Sequence, residues 1–299
     1  MTIQILALAC IVALSGSAAA GPQESEAGKI VGRYLRMPHP QDDKLGEARL
    51  ARLDTLAGLK GMPREAVDAI GHALPETKNP QQRAELAGAL GEHLHTKGSA
   101  ALLCELLKDP DEKVRGQAIH GLRMMARRTD RTGGKRIQRG PDFAPKVEGL
   151  VPYLISAASD KVEWNRISAL YALADTRDPL AVLELRNRLK DPSEKVRLYA
   201  ACFLTEYQDA SGLPEMRDAL ARLRQTEPSK NLDYYGQAEM LLASFERITG
   251  KRFGEIPLNP HLSSDTRQIP AIEKRYNTLL NAWAEWWAWE PKTGEESAP

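Results

Sequence analysis

A stretch of this chain repeats itself every 31 residues, and that interval limits what it can fold into more than any other feature. Asp160, Arg166, Ala169 and Leu173 recur as Asp191, Arg197, Ala200 and Leu204, and Asp178 recurs as Asp209. A third copy contains Asp109-Pro110, Val114-Arg115, Ala118 and Leu122. It precedes the Asp160 copy by 51 residues, the repeat interval plus an insertion of 20. Asn79-Pro80 followed by Ala87 reads as a fourth, weaker copy, one residue shorter between turn and Ala. A fixed interval of this length is the signature of a stacked array of small supersecondary units.

Each unit reads as two helices. Ala101-Leu102-Leu103 with Leu106-Leu107, and Ala181-Val182-Leu183 with Leu185 and Leu189, carry the apolar spacing of an amphipathic helix. Asp-Pro then breaks that helix, because Pro cannot continue it, and Asp is suited to cap the next one with Pro in its first turn. Val196, Ala200 and Leu204 fall on one face of the second helix. Neither helix can bury its stripe alone, so neighbouring units must stack.

The run Leu-Lys-Asp-Pro-x-x-x-Val-Arg-x-x-Ala, present at 107–118 and 189–200, resembles the short HEAT repeats named after phycobilisome lyases. The resemblance spans residues 63–248, or five helix pairs, with 44–60 as an N-terminal capping helix. It implies an all-α fold, an α-solenoid of stacked HEAT-like helix pairs. It also implies that turn Asp and helix Arg form a ladder between units, so that Asp109, Asp160, Asp191, Arg115, Arg166 and Arg197 are architectural. The last unit departs from the pattern: Tyr235 stands in the place of the Arg, and Ala238 follows Ala200 by 38 residues. Terminal repeats are often atypical because they need a polar outer face.

Composition agrees with helix. Hydrophobic residues make up 42% of the chain and aromatics only 6%, which leaves little for a β-sandwich to use. A formal net charge of +1 argues against a protein that wraps nucleic acid through overall charge. The start is distinct: an apolar run from Ile3 to Leu14 ends in Ser15-Gly16-Ser17-Ala18-Ala19-Ala20. That pattern is expected to be a secretory signal over 1–20, although no Lys or Arg precedes it, with the mature protein secreted or periplasmic and not inserted in the membrane. Residues 21–43 are then expected to be a flexible lead into a solenoid over 44–248. Cys104 and Cys202, both within helical patterns and several helices apart, are expected to be free thiols.

Two segments fall outside the repeat. The insertion at 127–146 holds seven basic residues and two acidic ones, with Gly133-Gly134, Gly140-Pro141 and Pro145 marking it as loop. It reads either as a solvated surface loop or as a site for an anionic partner such as a sulfated glycan, formed by Arg127, Arg128, Arg131, Lys135, Arg136 and Arg139. The tail, 249–299, ends in a helix with Tyr276, Leu279, Leu280, Trp283 and Trp287 on one stripe and Trp286 and Trp289 beside it. Either those rings cap the last repeat, or they form an aromatic platform for sugar or peptide.

No catalytic motif is evident. Gly-x-Ser-x-Gly, a phosphate-binding Gly loop and Cys-x-x-Cys are all missing from the sequence. Some relatives of this repeat family are di-iron hydroxylases with His-Glu pairs, and this chain has no His-Glu dipeptide. Glu92-His93-Leu94-His95 comes nearest, but residues two apart face different sides of a helix, so no metal and no cofactor is expected. The expected function is a non-catalytic extracytoplasmic scaffold or binding module. Its partner is expected to be a protein or an extended ligand held in the groove lined by the second helices, with no nucleic acid. The alternative is an enzyme or enzyme accessory, metal-dependent or lyase-like, using the same groove.

Overall fold

Apolar residues three and four apart, interrupted at regular intervals by polar turns, divide the chain into short amphipathic helices that pair off. The computed structural model describes residues 25–38, 47–126, 149–228, 233–260 and 266–289. Within them lie helices α1 (Glu26–Leu35), α2 (Glu47–Ala57), α3 (Pro63–Ala73), α4 (Pro80–His93), α5 (Lys97–Leu106), α6 (Glu112–Ala126) and α7 (Leu150–Ala157). These are followed by α8 (Glu163–Thr176), α9 (Leu180–Arg188), α10 (Glu194–Leu204), α11 (Leu213–Gln225), α12 (Tyr234–Thr249) and α13 (Ile269–Trp289). No strand occurs among the described residues, and no helix there is long and apolar enough to cross a membrane.

The helices stack as pairs, first helix against second, in an α-solenoid. The second helices α4, α6 and α8 lie close against one another in a row, whereas the first helices α3, α5, α7 and α9 have few contacts among themselves. Unequal spacing of the two rows bends the array, and the second helices occupy its concave side. The tightest approach is between α4 and α6, where Gly91 faces Gly121; a Cβ built on Gly91 would sit 2.1 Å from the Cα of Gly121. Val196, Ala200 and Leu204 are fully buried, as their shared face requires.

The segment expected to be a flexible lead over 21–43 contains α1. Ala27, Val31 and Tyr34, one turn apart, are all buried, and Ser25 caps the helix by accepting from the Gly28 N–H at 3.0 Å. The array therefore begins with a pair α1–α2, ahead of the five pairs that carry the repeat. A buried ion pair locks this first pair to the second: Arg52 Nε and Nη2 each donate to Glu85 at 3.0 Å, and the Tyr34 hydroxyl and Gln81 amide donate to the same carboxylate. Burial pushes the Glu85 carboxyl up, but these hydrogen bonds outweigh it and hold the group below its ordinary value.

At the other end α13 closes the array. Tyr276, Leu280 and Trp283 are buried against α11 and α12, and the Trp283 indole stacks on Phe245 with centroids 5.0 Å apart. Tyr276 donates its hydroxyl to the Pro257 carbonyl at 2.8 Å. The stripe of rings is thus spent covering the apolar face that the last pair would otherwise expose. Cys104 and Cys202 are free and buried, and burial pushes both thiols up to about 12.

Candidate binding surface

The turn edge of the solenoid carries a continuous ladder of ion pairs. Arg83 donates to Asp109 at 2.7 and 2.9 Å, Arg115 to Asp160 at 2.6 and 3.2 Å, and Arg166 to Asp191 at 2.9 Å twice. Each Arg also uses Nη1 to donate to two carbonyls of its own turn, as Arg115 does to Asp109 and Pro110 at 3.0 Å. Each turn Asp also accepts from the backbone two residues on: Asp109 from Asp111, Asp160 from Val162, and Asp191 from Ser193. Burial pushes Asp109 and Asp160 up, but hydrogen bonds from the preceding Arg and from the turn backbone, with the charge of that Arg, hold both below their ordinary values.

Several details differ from the sequence expectation. Asp109 and Asp191 close their turns rather than capping the next helix; the caps are Asp111, which accepts from Lys113 and Val114, and Ser193, which accepts from Val196. Arg83 is a rung that the Asn79-Pro80 alignment missed, because Thr77, not Asn79, occupies the turn position whose carbonyl it binds. Arg197 holds the carbonyls of its own turn, Asp191 and Pro192, like the other rungs, but its Nε donates to Glu215 on α11 at 3.0 Å rather than to the carboxylate of a following turn Asp. Tyr235, in the Arg position of the last pair, donates to Glu273 of α13 at 2.6 Å, so the ladder ends by gripping the cap.

With those charges paired, the turn edge is a poor place for a ligand, although a depression of about 720 Å³ lies over Arg115 and Asp160. The concave face is different. A groove of about 630 Å³ runs across α2, α4, α6 and α8, lined by Leu53, Glu92, His93, Gln117, His120 and Trp164 among others. Its floor includes the small residues Ala84, Gly88, Ala89 and Gly116. Within the groove Trp164 is 55% exposed and Leu53 37%, and Trp is enriched at the energetic centres of interfaces. Glu92 and Glu112 are offset by Arg49 and Lys113, leaving the groove near neutral.

His93 faces this groove, whereas His95 lies beyond the end of α4, its Nε2 2.8 Å from the Gly91 carbonyl oxygen. His120, which no motif marked, joins His93 there because α4 and α6 stack. No group of three or more His, Cys, Asp or Glu side chains among the described residues is placed to hold a metal ion. The basic cluster Arg127, Arg128, Arg131, Lys135, Arg136 and Arg139, and the segment 1–20 expected to be a secretory signal, lie outside the described residues.

No protein-family model matches the chain, and no curated protein matches it. Among solved structures, it is similar to a designed armadillo repeat protein in complex with the peptide (KR)4, at 16% identity over 74% of this chain and 100% of that one, with a TM-score of 0.40. A computationally designed armadillo repeat protein for modular peptide recognition matches at 16% identity, 73% and 99% coverage and a TM-score of 0.38. Human deoxyhypusine hydroxylase in complex with glycerol matches at 19% identity, 88% and 96% coverage and a TM-score of 0.29. The solenoid assignment rests on the helix order and the ladder rather than on these likenesses.

Proposed function

We propose that the chain is a non-catalytic binding module that works outside the cytoplasm and holds an extended segment of a protein partner along its concave face. The observation that carries this reading is the groove across α2, α4, α6 and α8, where Trp164 and Leu53 stand exposed among amide, imidazole and carboxylate side chains. Solenoids present such surfaces because each repeat adds one helix width to a continuous face. Exposed Trp is the side chain most often found at the energetic centre of an interface. The placement outside the cytoplasm rests on the apolar run Ile3 to Leu14 and the small residues after it.

The test is partner capture by the mature chain from the extracytoplasmic fraction, with two variants beside the wild type. Trp164→Ala with Leu53→Ser should abolish capture, while Leu183→Ser, equally exposed but on the outer helix α9, should leave it unchanged. Equal capture by all three would remove the groove from the account. The alternative is an enzyme or enzyme accessory, metal-dependent or lyase-like, using the same groove; His93 and His120 share it, but no third ligand among the described residues joins them in a metal-holding group. The metal-dependent form requires stoichiometric metal in the purified protein and its loss in His93→Ala.

A further inference from the structure

The groove does not end at Trp164. One turn beyond His120, α6 presents Arg123, and one turn beyond Ser168, α8 presents Tyr171. These two side chains open a second hollow of about 370 Å³ whose wall includes Phe203 and Met240. Residues three and four apart share a helix face, so groove and hollow form one trough.

The hollow has an apolar floor and a polar rim. Tyr171 is covered on one face by the Arg123 guanidinium, 4.1 Å from the ring centre, and is met at an angle by Phe203 and Tyr199 with centroids at 4.7 and 5.4 Å. It therefore offers no flat open ring on which a sugar would stack, whereas a recess of this size and lining suits one bulky apolar side chain.

The rim charges are not all paired within the described residues. Arg123 lies 3.4 Å from Asp175, and Glu206 is engaged by Arg177 at 2.7 Å. Arg247 and Glu239 have no ion-pair partner among the described residues; Arg247 is steadied by donating to the Thr205 hydroxyl at 2.8 Å. Both stand on α12, eight residues apart. A rise of about 1.5 Å per residue separates them by roughly 12 Å, too far to pair with each other.

We infer that the trough takes an extended polypeptide segment with a bulky apolar anchor in this hollow, an acidic residue beside it meeting Arg247 and a basic residue on the other side meeting Glu239. The inference rests on the groove reading above and names the partner's chemistry. Extended chain covers about 3.3–3.6 Å per residue, so the two charges belong within about four residues of each other.

The test uses short Gly-Ser peptides with a central Trp and flanking charges in four forms: Glu then Lys, Lys then Glu, both Glu and both Lys. Binding by fluorescence polarisation should favour one mixed order about tenfold over the two like-charge peptides. Glu239→Arg combined with Arg247→Glu should shift the preference to the opposite order. Because Arg247 also holds Thr205, Glu239→Arg alone serves as a second variant and should erase the preference for the basic residue while the melting curve stays unchanged. Equal binding of the four peptides, no binding, or a preference unmoved by either variant overturns the inference. So does binding confined to neutral oligosaccharides run alongside. If Trp164-dependent capture persists while peptide preference is missing, only the anchor assignment falls; if both are missing, the groove reading falls with it.

Discussion

Arg115 grips both carboxylate oxygens of Asp160, 45 residues away in sequence, while its remaining nitrogen holds the carbonyls of Asp109 and Pro110 in its own turn. One side chain thus fixes the shape of a repeat and joins it to the next. The planar guanidinium is required, because an ammonium group cannot reach two carboxylate oxygens and two carbonyls at once. Arg115→Ala leaves Asp160 with 6% of its side chain exposed and no countercharge. A loss of about 2–4 kcal/mol follows in urea unfolding, with Arg115→Lys recovering less than half of it. Pairing Arg115→Ala with Asp160→Ala should cost less than the two single losses together.

The ladder makes stability depend on pH. Asp109 and Asp160 of the ladder, Asp209 beside Arg186 of α9, and Glu85 at the N-terminal lock have folded values below those of the unfolded chain. Their contribution is therefore complete above the ordinary carboxylate range, about pH 4, and is lost as pH falls through the depressed folded values. Denaturation midpoints should hold steady from neutral pH down to about 5 and drop steeply below 4. Asp160→Asn should lower stability at neutral pH and flatten the acid limb; an unchanged limb would show that the ladder carboxylates do not drive it.

Packing of the concave row turns on one contact. Gly91→Ala places a methyl group 2.1 Å from the Gly121 backbone, so α4 and α6 must move apart. The cost is about 1–3 kcal/mol or more. Gly88→Ala, one turn earlier on the same helix, meets only the Gln117 side-chain oxygen at 3.6 Å. It should stabilise by about 0.5–1 kcal/mol through helix propensity, and thermal melts of the two variants should move in opposite directions.

The C-terminal helix acts as a lid on the last pair. Trp283→Ala opens a cavity beside Phe245 and should cost about 3–5 kcal/mol. Tyr235→Phe removes the hydroxyl that binds Glu273, a loss of about 1 kcal/mol that Glu273→Ala should reproduce.

Much of this architecture is legible in the chain. The interval between Asp160 and Asp191, the apolar faces such as Val196, Ala200 and Leu204, and the ring stripe of α13 all have a period, and burial imposes period. What escaped lies outside the 31-residue interval. Ala27, Val31 and Tyr34 form a single amphipathic helix with no second copy to mark it. Arg83 hid behind Thr77, which supplies a turn carbonyl without the Asp signature, and Glu215 replaces a turn Asp with a side chain on a different element. The groove was the least legible part. Its lining residues differ from repeat to repeat, as Gln117 and Ser168 show at one equivalent position, and only the stacking of helices brings His93 to His120 or Arg123 to Tyr171.

The central claim, that the concave row of second helices holds the partner, is tested most directly by site-specific photo-crosslinking. A benzophenone side chain in place of Trp164 on the inner face and, separately, in place of Leu183 on the outer face would be irradiated with the captured partner bound. A discrete crosslink from position 164 and none from 183, mapping to one continuous segment of the partner, is the result this account predicts. Crosslinks from 183 with none from 164 would contradict it and place binding on the convex side.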